Sequence, residues 1–134
     1  MRIGSAIRNT HRIMADILLV EDDPTSRYLM AALLSDMGYA VTSAASGDEA
    51  LQFLYSEEAC DVMFADIVLP GMSGIELARL TRDARPGVAT VLVTGRTEGW
   101  KAALDAGAFA LQKPVTRERL ADVIADALQR PRLG

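Results

Sequence analysis

ADILLVEDDPTSR, residues 15–27, decides how this chain is read. Residues 17–20 are apolar, and they run straight into three acids, Glu21, Asp22 and Asp23, with a proline next. A continuous apolar run suits a strand buried on both faces, as in a parallel sheet, so a strand is expected over Asp16–Val20. Pro24 suits the first turn of a helix, with Asp23 as its cap. Adjacent carboxylates repel one another, so Glu21 and Asp22 need an opposite charge nearby.

Outward from this stretch, short β-like runs alternate with amphipathic segments. Further strands are expected over Ala40–Ala44 and over residues 61–65 (DVMFA), 88–93 (VATVLV) and 108–112 (AFALQ). Five such alternations imply one doubly wound α/β domain. Tyr28, Leu29, Ala32 and Leu33 read as the apolar stripe of the first helix, ended by Gly38. Ser46 with Glu49, and Ser73 with Glu76, have capping-box spacing. Thr116 is the expected cap of a last helix that carries Leu120, Val123, Ile124, Ala127 and Leu128 at helical spacing and stops at Pro131.

Composition narrows the function classes. The chain has 134 residues, half of them hydrophobic, and a net charge of −4, which suits one domain with a core and argues against a nucleic-acid binder. Arg2, Arg8 and Arg12 lie in residues 1–14, which hold no acid; the 11 remaining basic residues face 18 acids, a net of −7. The expected organisation is a basic arm over 1–14, read as disordered or as a start assigned too early, a domain over 15–131, and a tail over 132–134. No run approaches the ~20 apolar residues of a membrane span. One cysteine, Cys60, leaves no internal disulfide and fits a cytoplasmic setting.

In a parallel α/β sheet, functional groups gather beyond the carboxyl ends of the strands. Glu21 and Asp22 follow the first expected strand and Asp66 the third, in DVMFADIVLPGMSG (61–74). Thr94 follows the fourth, in VLVTG (91–95), and Lys113 the fifth, in ALQKPV (110–115). Three acids, a hydroxyl and a lysine at one sheet edge form a set hard to dismiss as chance, and the clustered carboxylates call for a hard cation. Without a cation, at least one of the acids is expected to hold its proton more tightly than usual.

ILLVEDD, the D-x-x-LPGMSG stretch from Asp66, VLVTG and QKP together resemble the receiver domain of two-component response regulators, over roughly residues 16–129. The resemblance implies a flavodoxin-like (βα)5 sandwich with strand order 2-1-3-4-5. It implies Asp66 as phosphoacceptor, with Thr94 and Lys113 on the phosphoryl oxygens. It implies Mg2+, with Mn2+ as a substitute, held by Asp22, Asp66 and the backbone carbonyl of Val68, with Glu21 acting mainly through a water. A cis Lys113–Pro114 bond is implied as well. The implied donor is a histidine kinase or a histidine phosphotransfer protein, and output passes to another protein. Direct DNA binding and membrane insertion are not expected, and the state expected is a monomer or weak homodimer.

The chain also departs from that family. The stretch between Thr94 and Lys113 is about three residues shorter than usual. Ala110 stands where the family has an aromatic that moves with the threonine, and Phe109 could replace it only by a register shift, which would reverse the face it occupies. GRTEGWKAAL (95–104) predicts a short or loosely ordered fourth helix, since Gly99 weakens it. Trp100, the sole tryptophan, reads as core or as partner contact; Phe109, Ala110 and Trp100 mark the candidate switch face. The function expected is a phosphoacceptor switch, not a classical enzyme, and the alternative is a receiver-like binding module that works without phosphorylation. An aspartate-nucleophile phosphatase would need an acid where Val68 stands. A flavin carrier would need a phosphate cradle where three acids stand.

Overall fold

The computed structural model describes residues 15–129; the arm over 1–14, Pro131 and the tail lie outside the described residues. Strands and helices alternate: β1 (Asp16–Val20), α1 (Pro24–Asp36), β2 (Ala40–Ala44), α2 (Gly47–Tyr55), β3 (Val62–Asp66), α3 (Gly74–Ala84), β4 (Ala89–Thr94), α4 (Thr97–Asp105), β5 (Phe109–Gln112) and α5 (Arg117–Gln129). The five strands form one parallel sheet of order β2-β1-β3-β4-β5. This is the expected doubly wound architecture, with the winding direction reversing between β1 and β3.

The apolar run of β1 feeds both layers of the core. Leu18 and Val20 face one layer with Met63, Leu77 and Leu92. Ile17 and Leu19 face the other with Phe64, Val91 and Ile124. Helices α2, α3 and α4 cover the first face, and α1 and α5 cover the second. Each large side chain buried this way contributes about 1.5–3 kcal/mol, which fixes the strand ends where the polar residues begin. Among the described residues no helix is long and apolar enough to cross a membrane.

The helix starts follow the expected caps. Asp23 Oδ2 accepts the Ser26 N–H at 2.8 Å, with Pro24 opening α1. Ser46 Oγ accepts the Glu49 N–H at 3.1 Å, while Glu49 reaches back to the Ala45 N–H at 2.7 Å, one residue earlier than a strict capping box. Ser73 Oγ accepts the Glu76 N–H, and Thr116 Oγ1 the Arg119 N–H.

Three expectations are corrected. Strands β3 and β4 begin and end one residue later than expected: Asp66 joins the ladder opposite Val93, and Thr94 pairs with Gln112 of β5. Asp61 lies before β3; its carboxylate accepts the Asp16 N–H at 2.9 Å. Strand β5 starts at Phe109 rather than at Ala108. The stripe on α1 is also different: Tyr28 and Leu29 are 72% and 60% exposed, and Ala32 is exposed as well. The face turned to the sheet carries Met30, Leu33, Leu34 and Met37 instead.

Candidate functional site

The carboxyl edge of the sheet is built by four strand ends. Glu21 follows β1, and its N–H donates to Ala44 O at 3.0 Å, which extends the β1–β2 ladder by one residue. Asp66 is the last residue of β3, and Ile67 N–H donates to Val93 O at 3.1 Å just beyond it. Lys113 N–H donates to Thr94 O at 2.9 Å, so the fifth strand end is tied to the fourth. The Lys113–Pro114 peptide is cis.

Carboxylate oxygens of Glu21, Asp22 and Asp66 lie within 4.8 Å of one another. Lys113 Nζ stands 3.4 Å from Asp66 Oδ1; the lysine side chain is half exposed, and that of Asp66 is only 13% exposed. Burial pushes the Glu21 carboxyl up to about 7, and a hydrogen bond to Asp66 together with its charge adds to the rise. The Asp23 N–H, which donates to Glu21 Oε2 at 3.0 Å, and the Lys113 charge pull the other way. A carboxyl whose proton is held more tightly by burial and by a neighbouring acid marks a site whose charge calls for a cation. The donors are all oxygen, with no imidazole or thiolate, which fits a hard ion such as Mg2+ rather than a softer metal. Among the described residues no hydrogen bond engages the Val68 carbonyl, and Val68 is 82% exposed at the rim.

Arg27, which the sequence reading did not single out, and Gly74 also shape this edge. Arg27, in the first turns of α1, donates from one guanidinium nitrogen to Glu21 O at 2.9 Å and to Asp22 O at 3.4 Å. A cation near a helix N-terminus is poorly placed for the helix dipole; that misfit in TSRY was the available signal. Gly74 opens α3 against the strand end. A Cβ there would meet Asp66 O at 2.3 Å and Ile67 Cα at 2.8 Å. Gly71 turns the loop between them at φ +83.

Thr94 sits at the same edge, 7% exposed, but its hydroxyl is turned to its own loop. It donates to Arg96 O at 3.2 Å and accepts the Arg96 N–H at 3.0 Å. Asp66, Val68, Thr94, Arg96 and Lys113 line one open cup of about 310 Å3. On the other side of Asp66 a cavity of about 340 Å3 runs between α1 and the Pro114–Val115 segment, floored by Leu19, Phe64 and Val93 and edged by Leu29.

The candidate switch residues divide between the layers. Ala110 pairs with Leu92 and packs toward α2, α3 and α4, whereas Phe109 pairs with Val91 and packs toward α1 and α5. Phe109 therefore does not take the place of an aromatic at position 110. Trp100 is 40% exposed and lines, with Leu104, Phe109 and Ala110, a surface groove between α4 and α5. Helix α4 is a short but regular nine-residue helix.

Comparison with known proteins agrees with this geometry. The profile of the response regulator receiver domain matches residues 17–125. The transcriptional regulatory protein GlrR of Escherichia coli is 35% identical over 118 residues, covering 86% of this chain and 26% of its own length; this chain thus spans about a quarter of that relative. Protein PilH of Pseudomonas aeruginosa is 38% identical over 81 residues, 60% of this chain and 66% of PilH. Among solved structures, a receiver domain protein from Clostridium thermocellum superposes with a TM-score of 0.82 at 30% identity, covering 87% of this chain and 96% of that one. The chemotaxis response regulator CheY4 of Vibrio cholerae superposes with a TM-score of 0.77, also at 30% identity, covering 86% and 99%. By sequence, by sheet order and by the residues gathered at its carboxyl edge, the chain belongs to the response regulator receiver domain family of two-component signalling.

Proposed function

We propose that the protein is a phosphoacceptor switch in which Asp66 takes a phosphoryl group from a phosphohistidine on a kinase or phosphotransfer protein. A carboxylate oxygen of Asp66 attacks phosphorus and the P–N bond to the donor imidazole breaks. The nitrogen keeps that electron pair and takes up a proton. The product is an acyl phosphate on Asp66. One observation carries this reading: Asp66 is confined between the Lys113 ammonium at 3.4 Å and the Glu21 and Asp22 carboxylates.

Lys113 neutralises one phosphoryl oxygen as a compact charge on a flexible stem. Thr94, once its hydroxyl leaves Arg96, donates to another. Gly74 and Arg27 hold the carboxylates in place from behind. Asp22 and Asp66, the Val68 carbonyl and, through a water, Glu21 fit Mg2+, or Mn2+ in its place; when bound, the ion supplies charge neutralisation at the phosphoryl oxygens. Tyr28 and Leu29, exposed on α1 beside the apolar cavity, give the donor protein a surface over which to reach Asp66. Phosphorylation biases a two-state equilibrium of the face formed by α4 and β5, where Trp100, Phe109 and Ala110 lie.

Incubation with acetyl phosphate and MgCl2, read by intact mass, tests this. One phosphoryl group per chain is expected, absent with EDTA and absent from Asp66→Asn. A wild-type chain that stays unlabelled sinks the reading.

A further inference from the structure

Only Gly95 and Arg96 separate β4 from α4, so the helix turns back sharply onto the end of its own strand. The consequence is a close contact between Gly99 and Thr94. A Cβ on Gly99 would stand 2.2 Å from Thr94 Oγ1, 2.9 Å from Thr94 Cβ and 3.1 Å from Ile67 Cδ1. Those distances are well inside van der Waals contact, so the missing side chain of residue 99 is what admits the side chain of Thr94. The slot is completed by the Arg96 backbone, which both donates to and accepts from the Thr94 hydroxyl.

We propose that Gly99 is a positioning residue for Thr94: the first turn of α4 holds the threonine in a slot turned away from Asp66, and release of the threonine toward Asp66 lets α4 and Trp100 resettle. This deepens the functional reading above and rests on it for the released state. Thr94 cannot bond to Arg96 and to a phosphoryl group on Asp66 with the same hydroxyl proton. When the side chain turns to the phosphoryl oxygen, the slot under α4 empties, and close-packed interiors do not keep such voids. No aromatic of β5 can fill it, because Ala110 ends at a methyl on that face and Phe109 packs on the other. The helix itself is the remaining mobile part, and Trp100 is the residue next to Gly99. The coupling from acceptor to surface thus runs through the backbone of α4.

The sole tryptophan makes this measurable in the full chain. In the resting protein, helix propensity alone would make Gly99→Ala stabilising. The slot requires the opposite: a lower Tm and a Trp100 emission displaced toward that of the wild type with beryllofluoride and Mg2+. Adding Thr94→Ala to Gly99→Ala is expected to restore both, a rescue that a merely structural glycine would not show. Thr94→Val fills the slot but has no hydroxyl to offer. Its Trp100 emission is expected to stay unchanged at saturating beryllofluoride and Mg2+, whereas the wild type shifts. The proposal is overturned if Gly99→Ala keeps the wild-type Tm and emission, if Thr94→Ala fails to rescue it, or if Thr94→Val responds like the wild type. Failure of the wild type to accept a phosphoryl group from acetyl phosphate would overturn the phosphoacceptor reading instead, and the resting-state pair would still judge the slot.

Discussion

Lys113 and Asp66, contributed by different strand ends, meet as an ion pair at 3.4 Å with the carboxylate largely enclosed and the ammonium half in water. The exposed end leaves the ammonium room to follow a new anion on Asp66. Lys113→Met is therefore expected to slow labelling of Asp66 by acetyl phosphate by about 100-fold, the scale for losing one preorganised charge contact, with little loss of Tm because water screens the half-exposed ammonium. Labelling rates followed by intact mass give the comparison; a rate within a factor of about 2 of wild type would remove Lys113 from the chemistry.

Arg27 acts on the acids from behind, through the carbonyls of Glu21 and Asp22. Arg27→Met keeps the apolar stem and removes the donors. A fall of about 10-fold in Mg2+ affinity is expected, in line with other residues that orient metal ligands. Calorimetric titration with MgCl2 measures it, and unchanged affinity would assign Arg27 to local loop packing alone.

Gly74→Ala drives a methyl into the Asp66 carbonyl. A loss of about 1–3 kcal/mol in unfolding free energy is expected from such overpacking, together with slower labelling of Asp66. Gly95→Ala, where a Cβ would meet nothing within 4 Å, is the stability control and is expected to leave the urea midpoint near wild type.

Cys60 is buried, and burial pushes its thiol from the ordinary 9.0 up to about 11. The folded chain therefore holds the thiol proton more tightly than the unfolded chain does. That contribution is fully present below about pH 9 and is lost as pH rises through about 11, on the order of 3 kcal/mol in all. Cys60→Ala is expected to flatten this part of the stability curve in urea melts at pH 8–11, and the native thiol is expected to resist iodoacetamide near neutral pH until the chain unfolds. Fast alkylation of the folded protein would contradict the placement of Cys60.

Much of this architecture is legible in the sequence, because residues 17–20 state burial on both faces and because strand and helix patterns alternate cleanly. The misreadings have local causes. In α1 the positions 28, 29, 32 and 33 and the positions 30, 33, 34 and 37 are both apolar at helical spacing, and only packing on the sheet selects the second set. The one-residue offsets at the ends of β3 and β4 arise because Asp66 and Thr94, polar residues at strand ends, read as loop although their backbones still join the ladder. The set Glu21, Asp22, Asp66 and Lys113 is readable because each stands at or just beyond a strand end, and topology then brings strand ends together. Thr94 is readable in position but not in orientation. The contact with Gly99 spans five residues of sequence across a tight turn, and spacing alone carries no information about how closely the backbone returns.

Trapping the acyl phosphate tests the central claim most directly. After reaction with acetyl phosphate and Mg2+, borohydride reduction followed by peptide mapping is expected to convert Asp66, and no other aspartate, to homoserine. Conversion at a different residue, or an Asp66→Asn chain that still yields homoserine after the same treatment, would contradict the account.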